Sequence, residues 1–83
     1  MIEMAIKITV KNVANGSTIR MEVEPTDRVS DIIDSAAEFW NKDSGAFVLK
    51  KGKKLLHGSD TASEINLLTD DVLEMIPDPE GGI

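Results

Sequence analysis

Polar and apolar positions alternate along this chain with two different periods, and the switches between them mark out its elements. Ile6, Ile8 and Val10 are separated by Lys7 and Thr9, the period of two that a strand with one buried face requires. Asn12 to Gly16 supplies a turn, with Asn15-Gly16 able to take positive φ at little steric cost. Ile19, Met21 and Val23 then alternate with Arg20, Glu22 and Glu24, which predicts a second strand and a hairpin. Pro25 closes it, since proline has no N–H to give to a ladder. From Val29 the period lengthens. Val29, Ile32, Ile33, Ala36, Phe39 and Trp40 recur at three- and four-residue spacings and form one apolar helical stripe, with Trp40 expected to cover the end of the core. Asp27 is placed to cap the first turn and Asp31 to add favourable charge there.

Asn41 to Gly45 interrupts the helical pattern. Phe47-Val48-Leu49 predicts a short third strand, Lys51-Gly52 a turn and Leu55-Leu56 a shorter fourth strand. Residues 59–71 predict a loop with one helical turn around Ala62 to Asn66, and Val72 to Ile76 a final strand stopped by Pro77 and Pro79. The main elements follow a ββαββ order, with the short Leu55-Leu56 strand besides, and imply an α+β domain, a mixed sheet with one helix packed across it. Strand alternation sends Val48, Leu73 and Met75 inward and leaves Phe47, Leu49 and Ile76 on the open side. The expected core unites Ile8, Val23, Ile32, Val48, Leu55, Leu67 and Leu73. The pattern divides into a domain over 1–76 and a flexible tail over 77–83.

Length confines the chain to one modest core, since 83 residues leave room for a single small domain. A hydrophobic content of 41% beside 29% charged residues suits a globular fold rather than a disordered chain. With no cysteine, disulfides, thiolate metal sites and cysteine catalysis are excluded. The net charge of −6 argues against nucleic acid as a partner. Lys50, Lys51, Lys53 and Lys54 nevertheless cluster, either as a solvated hairpin or as a patch that steers an acidic partner. No apolar run approaches the ~20 residues of a membrane span. Met1-Ile2-Glu3-Met4 lacks the basic-then-apolar pattern of a secretory leader, so a cytoplasmic monomer is expected. His57 stands alone, and Ser59, Thr61 and Ser63 have no base partner, so no enzyme and no metal site is expected.

A resemblance sharpens this picture. Glu22-Val23-Glu24-Pro25-Thr26-Asp27, then Gly52-Lys53-Lys54-Leu55 with Gly58, then Thr61-Ala62-Ser63-Glu64-Ile65-Asn66-Leu67 follow ubiquitin's order and are similar to its wording, with about one residue inserted before the last, and Gly81-Gly82 stands at ubiquitin's distance from the last strand. The chain from Ile6 to Gly82 resembles the ubiquitin-like β-grasp family. The resemblance implies that fold, a binding patch on the open side comprising Leu49, Ile76, Phe47 and Val13 with Lys51 and Lys53 at its rim, and Lys53 as a candidate acceptor of further copies. Glu74 stands where the patch usually has histidine. Asp78 and Glu80 replace ubiquitin's tail arginines, with Pro77 and Pro79 between them. That reversal of charge would repel the acidic groove of a eukaryotic activating enzyme and calls for basic groups on the chain's own partner. The tail thus looks closer to prokaryotic, archaeal or bacterial, relatives.

Small residues at 81 and 82 suit a tail that threads a narrow channel, although glycine-rich ends are also common as simple flexible termini. The resemblance implies a protein modifier joined through the Gly82 carboxylate to target lysines, after an ATP-dependent activating enzyme has adenylated it. The chain itself then needs no cofactor; its partners are that enzyme, a processing peptidase and the targets. Ile83 follows the glycines, and a β-branched side chain there would crowd the reacting carbon, so its removal is expected. Two alternatives stand beside this reading: a sulfur carrier ending in a thiocarboxylate, and a non-covalent protein-binding domain.

Overall fold

The structure is a computed structural model and describes residues 5–77. Its elements are β1 (Ile6–Asn12), β2 (Thr18–Val23), α1 (Val29–Trp40), β3 (Phe47–Lys51), β4 (Lys54–Leu55) and β5 (Val72–Pro77), with a short 3-10 turn at Ser44–Ala46. The strands form one sheet in the order β2-β1-β5-β3-β4. β1 and β5 run parallel at its centre, and every other pairing is antiparallel. This is a mixed five-stranded sheet with one helix, an α+β β-grasp fold of the ubiquitin-like kind.

The β1–β2 hairpin carries the alternation read from the sequence. Ile6↔Val23, Ile8↔Met21 and Val10↔Ile19 pair across it, and Ile8 and Val10 are fully buried. β1 runs two residues further than the apolar pattern, through Lys11 and Asn12. Asn12 is buried within the strand because its Oδ1 accepts the Ala14 N–H at 3.0 Å, which satisfies its side-chain oxygen. Gly16, at φ +76°, donates its N–H to the Asn12 carbonyl at 2.7 Å and closes the turn.

α1 buries Val29, Ile32, Ile33, Ala36 and Ala37 against the sheet, and Trp40 packs partly buried against the same core. Phe39, expected in the stripe, is 68% exposed. At ~100° per residue it falls about a quarter turn from the centre of the buried face, and Ala37 takes the interior place. Asp27 does not cap the helix. Its carboxylate accepts the Glu24 N–H at 2.8 Å and fastens the turn after β2, while Asp31 accepts the Arg28 N–H at 3.0 Å. The free N–H groups of the first turn are met from elsewhere, Val29 by the Asp60 carbonyl at 2.8 Å and Ser30 by the Gly58 carbonyl at 3.0 Å. At the other end Asn41 adopts φ +57°, and Lys42 donates back to the Ala37 carbonyl at 2.8 Å, a left-handed stop.

Two corrections concern β3 and β4. Leu49 is fully buried and Val48 half-buried on the open side, the reverse of the expected phase. The reason is register. β3 pairs with β5 as Leu49↔Met75 and Val48↔Ile76, and partners across a ladder share a face. Leu49 therefore enters the core with Met75, and a one-residue shift in the assignment inverts every side chain of the strand. Phe47, of the same phase as Leu49, packs partly buried against the core rather than lying on the open side. In β4, Leu55 pairs with Lys50 and is 49% exposed, while Leu56, just after it, is buried and donates its N–H to the Leu49 carbonyl at 2.9 Å.

The segment after β4 holds the expected helical turn. Thr61 and Glu64 bond reciprocally, the Thr61 N–H to Oε1 at 2.8 Å and the Glu64 N–H to Oγ1 at 3.1 Å, a capping box. These bonds from Thr61 hold the Glu64 carboxyl below its ordinary pKa. Asn66 ends the turn at φ +56°, and Ala62, Ile65 and Leu67 are buried beneath the sheet.

Candidate protein-binding face

The face of the sheet turned away from α1 is built by one phase of each strand. At the level of Lys11, the ladder pairs place Thr18, Lys11, Glu74, Lys50 and Leu55 side by side from β2 to β4. Opposite charges across adjacent strands are favourable, so Glu74 between Lys11 and Lys50 makes an alternating row. One step along β5, Ile76 faces Val48, both half-buried. Val13 follows the Asn12↔Met75 pair, donates its N–H to the Met75 carbonyl at 3.2 Å, and is 46% exposed. The result is a small apolar group of Val48, Ile76 and Val13 bordered by the charged row. Val72, 52% exposed, lies beyond that row opposite Thr9.

Of the patch read from the sequence, Ile76 and Val13 are thus brought together. Leu49 and Phe47 are on the core side, and Val48 takes their place. Lys51 is not a rim residue either. Its Nζ donates to the Asn66 carbonyl at 3.0 Å and the Ile65 carbonyl at 3.4 Å, and pairs with Asp71 at 3.4 Å. It holds the end of β3 to the helical turn, as a cation at exposed helix carbonyls should. Lys53 is exposed in the β3–β4 turn, after Gly52 at φ +61°. Val48 was missed because the run Phe47-Val48-Leu49 is apolar on both faces, and its phase is set only by the Val48↔Ile76 pairing with β5.

Gly81, Gly82 and Ile83 lie outside the described residues. Among the described residues no group of three or more His, Cys, Asp or Glu side chains is placed to hold a metal ion. His57 is exposed. No helix among them is long and apolar enough to cross a membrane.

A solved structure titled Caldiarchaeum subterraneum ubiquitin superposes on this chain with a TM-score of 0.82 at 20% sequence identity, covering 94% of this chain and 99% of that one. At that identity the likeness establishes the ubiquitin-like fold. No protein-family model and no curated protein sequence matches the chain.

Proposed function

We propose that this chain is a ubiquitin-like protein modifier of prokaryotic type, attached to target lysines through the Gly82 carboxylate once Ile83 has been removed. The observation that carries the reading is the Gly81-Gly82 pair in the sequence shortly after Pro77, the last residue of β5, in a ubiquitin-like β-grasp domain. A carboxylate is a poor acyl donor, so an ATP-dependent activating enzyme would first adenylate it. The lysine amine then attacks the activated carbonyl carbon, and the activating group leaves. Glycine admits that attack because no side chain shields the carbon. Asp78 and Glu80 select an activating enzyme with a basic approach to its site. The Val48–Ile76–Val13 group, with Lys50 in the row that borders it, offers the surface by which partners read the attached domain, and Lys53 an acceptor for a second copy.

The experiment is expression of tagged forms in the native cell: one ending at Gly82, one retaining Ile83, and one lacking Gly82. The reading expects high-mass species that survive boiling in detergent with the first two and none with the third. Equal species from all three forms, or none from the form ending at Gly82, would refute covalent attachment through this tail. A free chain recovered with a sulfur atom in place of one carboxylate oxygen would point to the sulfur carrier instead.

A further inference from the structure

The chain has four asparagines, Asn12, Asn15, Asn41 and Asn66. An asparagine loses its side-chain amide to its own backbone when the nitrogen of the next residue attacks the side-chain carbonyl carbon, an intramolecular step that depends on position. Three of the four are poorly placed for it. Val13, Lys42 and Leu67 follow Asn12, Asn41 and Asn66, and their side chains crowd the attack. Their N–H groups are also held, by the carbonyls of Met75 at 3.2 Å, Ala37 at 2.8 Å and Ala62 at 3.0 Å. Asn12 and Leu67 are buried besides.

Asn15 differs in burial and in the residue that follows. It is exposed at the tip of the β1–β2 hairpin. Gly16 comes next, with no side chain and nothing within 4 Å of where a Cβ would stand. The Asn15 Oδ1 accepts the Ser17 N–H at 2.8 Å, an Asx turn. That bond closes a ring to which Cγ and the Gly16 nitrogen both belong, and it draws electron density from Cγ, the carbon to be attacked. One contact opposes the reaction. The Gly16 N–H donates to the Asn12 carbonyl at 2.7 Å, and the nitrogen attacks only once it has given up that proton. The reaction therefore waits on the opening of one hydrogen bond in an exposed turn, where local opening is least costly.

We propose that Asn15 is a site of spontaneous deamidation, timed by the opening of the hairpin tip, and that its product alters the Val13 corner of the open face. The Gly16 nitrogen attacks Cγ and a C–N bond forms. The side-chain nitrogen leaves as ammonia, carrying the proton that Gly16 gave up. Water then opens the cyclic imide and returns a proton to the Gly16 nitrogen. Addition at Cγ gives an ordinary aspartate, whereas addition at the backbone carbonyl leaves the chain running through Cγ, one carbon longer. Either product replaces a neutral amide with a carboxylate, on a chain already at −6. The extra carbon of the second product lies inside the ring closed by the Gly16–Asn12 bond, so the turn must rearrange. Val13 belongs to the same turn and is bonded to Met75, so a fresh chain and an aged one present different corners to a partner. None of these steps depends on activation of Gly82, and their test leaves the modifier reading untouched.

The test incubates the folded full chain at mildly alkaline pH and follows its tryptic peptide Asn12–Arg20 by mass spectrometry. Expected is conversion at Asn15, read as the mass gain of a hydroxyl for an amino group, in two forms that chromatography separates. Asn12, Asn41 and Asn66 should stay intact over the same period. Conversion in the folded chain should run about fivefold slower than in a linear peptide of residues 11–20, the factor that one hydrogen bond supplies. Its rate should follow hydrogen exchange of the Gly16 amide as temperature is varied, because both need the same N–H released. The Asn15→Ser variant, whose hydroxyl can still accept the Ser17 N–H, should gain no mass in this peptide. In the converted chain, the Val13 and Met75 amides should show the largest NMR shifts outside the turn. A folded chain that keeps Asn15 while the linear peptide converts would overturn the proposal. So would earlier conversion at another asparagine, or a rate unrelated to Gly16 exchange. Unshifted Val13 and Met75 amides would overturn the effect on the open face.

Discussion

Replacing Leu49 and Val48 separately tests the assignment of the sheet's two faces. Leu49 is fully buried opposite Met75, and its carbonyl receives the Leu56 N–H. Leu49→Ala removes the side chain beyond Cβ from a site with no solvent to fill it, a change that costs ~2–5 kcal/mol. Small domains have a total stability of ~5–15 kcal/mol, so this is a large share. At ~4–8 °C per kcal/mol for a domain of this size, the thermal midpoint should fall by about 8–40 °C. Val48 is half-buried on the open face beside Ile76, and Val48→Ala should cost under ~1 kcal/mol. The assay is thermal and urea unfolding followed by the fluorescence of Trp40, the one tryptophan, which packs against the core. Val48→Asp should still fold, whereas Leu49→Asp buries an unpaired charge and should not. If Val48→Ala proved more damaging than Leu49→Ala, the β3 register and the proposed binding face would both be wrong.

Other consequences follow from single side chains. Lys51→Met should lower stability by ~1–2 kcal/mol, because it removes two hydrogen bonds to carbonyls and a partly exposed ion pair, and hydrogen exchange should quicken around Asn66 and Asp71; no change in either would show that the Lys51 contacts contribute nothing. Gly16→Ala should cost ~1–2 kcal/mol from the left-handed backbone alone, since a Cβ there meets nothing within 4 Å; a neutral result in thermal unfolding would refute the strained turn. Glu64 has its folded pKa depressed by Thr61, so its contribution is present above the unfolded carboxylate value and lost as pH falls through the folded one. The Glu64→Gln variant should therefore show a flatter acid limb in its stability profile, and a profile parallel to the parent's would contradict the capping box.

Where the sequence pattern had only one apolar phase, it specified the structure well. The hairpin of β1 and β2, the stripe from Val29 to Ala36 and the turn around Ala62 to Asn66 all stand where the apolar spacing put them. Where two or more apolar residues adjoin, the pattern is silent about direction. Phe47-Val48-Leu49 and Leu55-Leu56 read equally well in either phase, and only pairing with β5 and β3 decides between them. The helix start failed for a different reason. Asp27 is a good capping residue, yet it is engaged by Glu24 within the preceding turn, and carbonyls some thirty residues later satisfy the helix. The order of the strands left no mark in composition, because it rests on pairing between segments distant in sequence. Lys51 looked like one member of a lysine cluster, and its partners on the 65–71 segment were too distant in sequence to suggest a structural role.

Isolation of conjugates from the native cell, followed by mass spectrometry of their branched peptides, tests the central claim most directly. The choice of protease matters. No lysine or arginine follows Lys54, so trypsin would leave the whole stretch from Leu55 to Gly82 on an acceptor, whereas a glutamate-specific protease cutting after Glu80 would leave Gly81-Gly82 alone. The account expects target lysines bearing that dipeptide through an isopeptide bond, with Ile83 absent from every conjugate. Recovery of only free chains that keep Ile83, from cells in which other proteins are being conjugated by an active activating enzyme, would contradict it and leave a non-covalent binding domain.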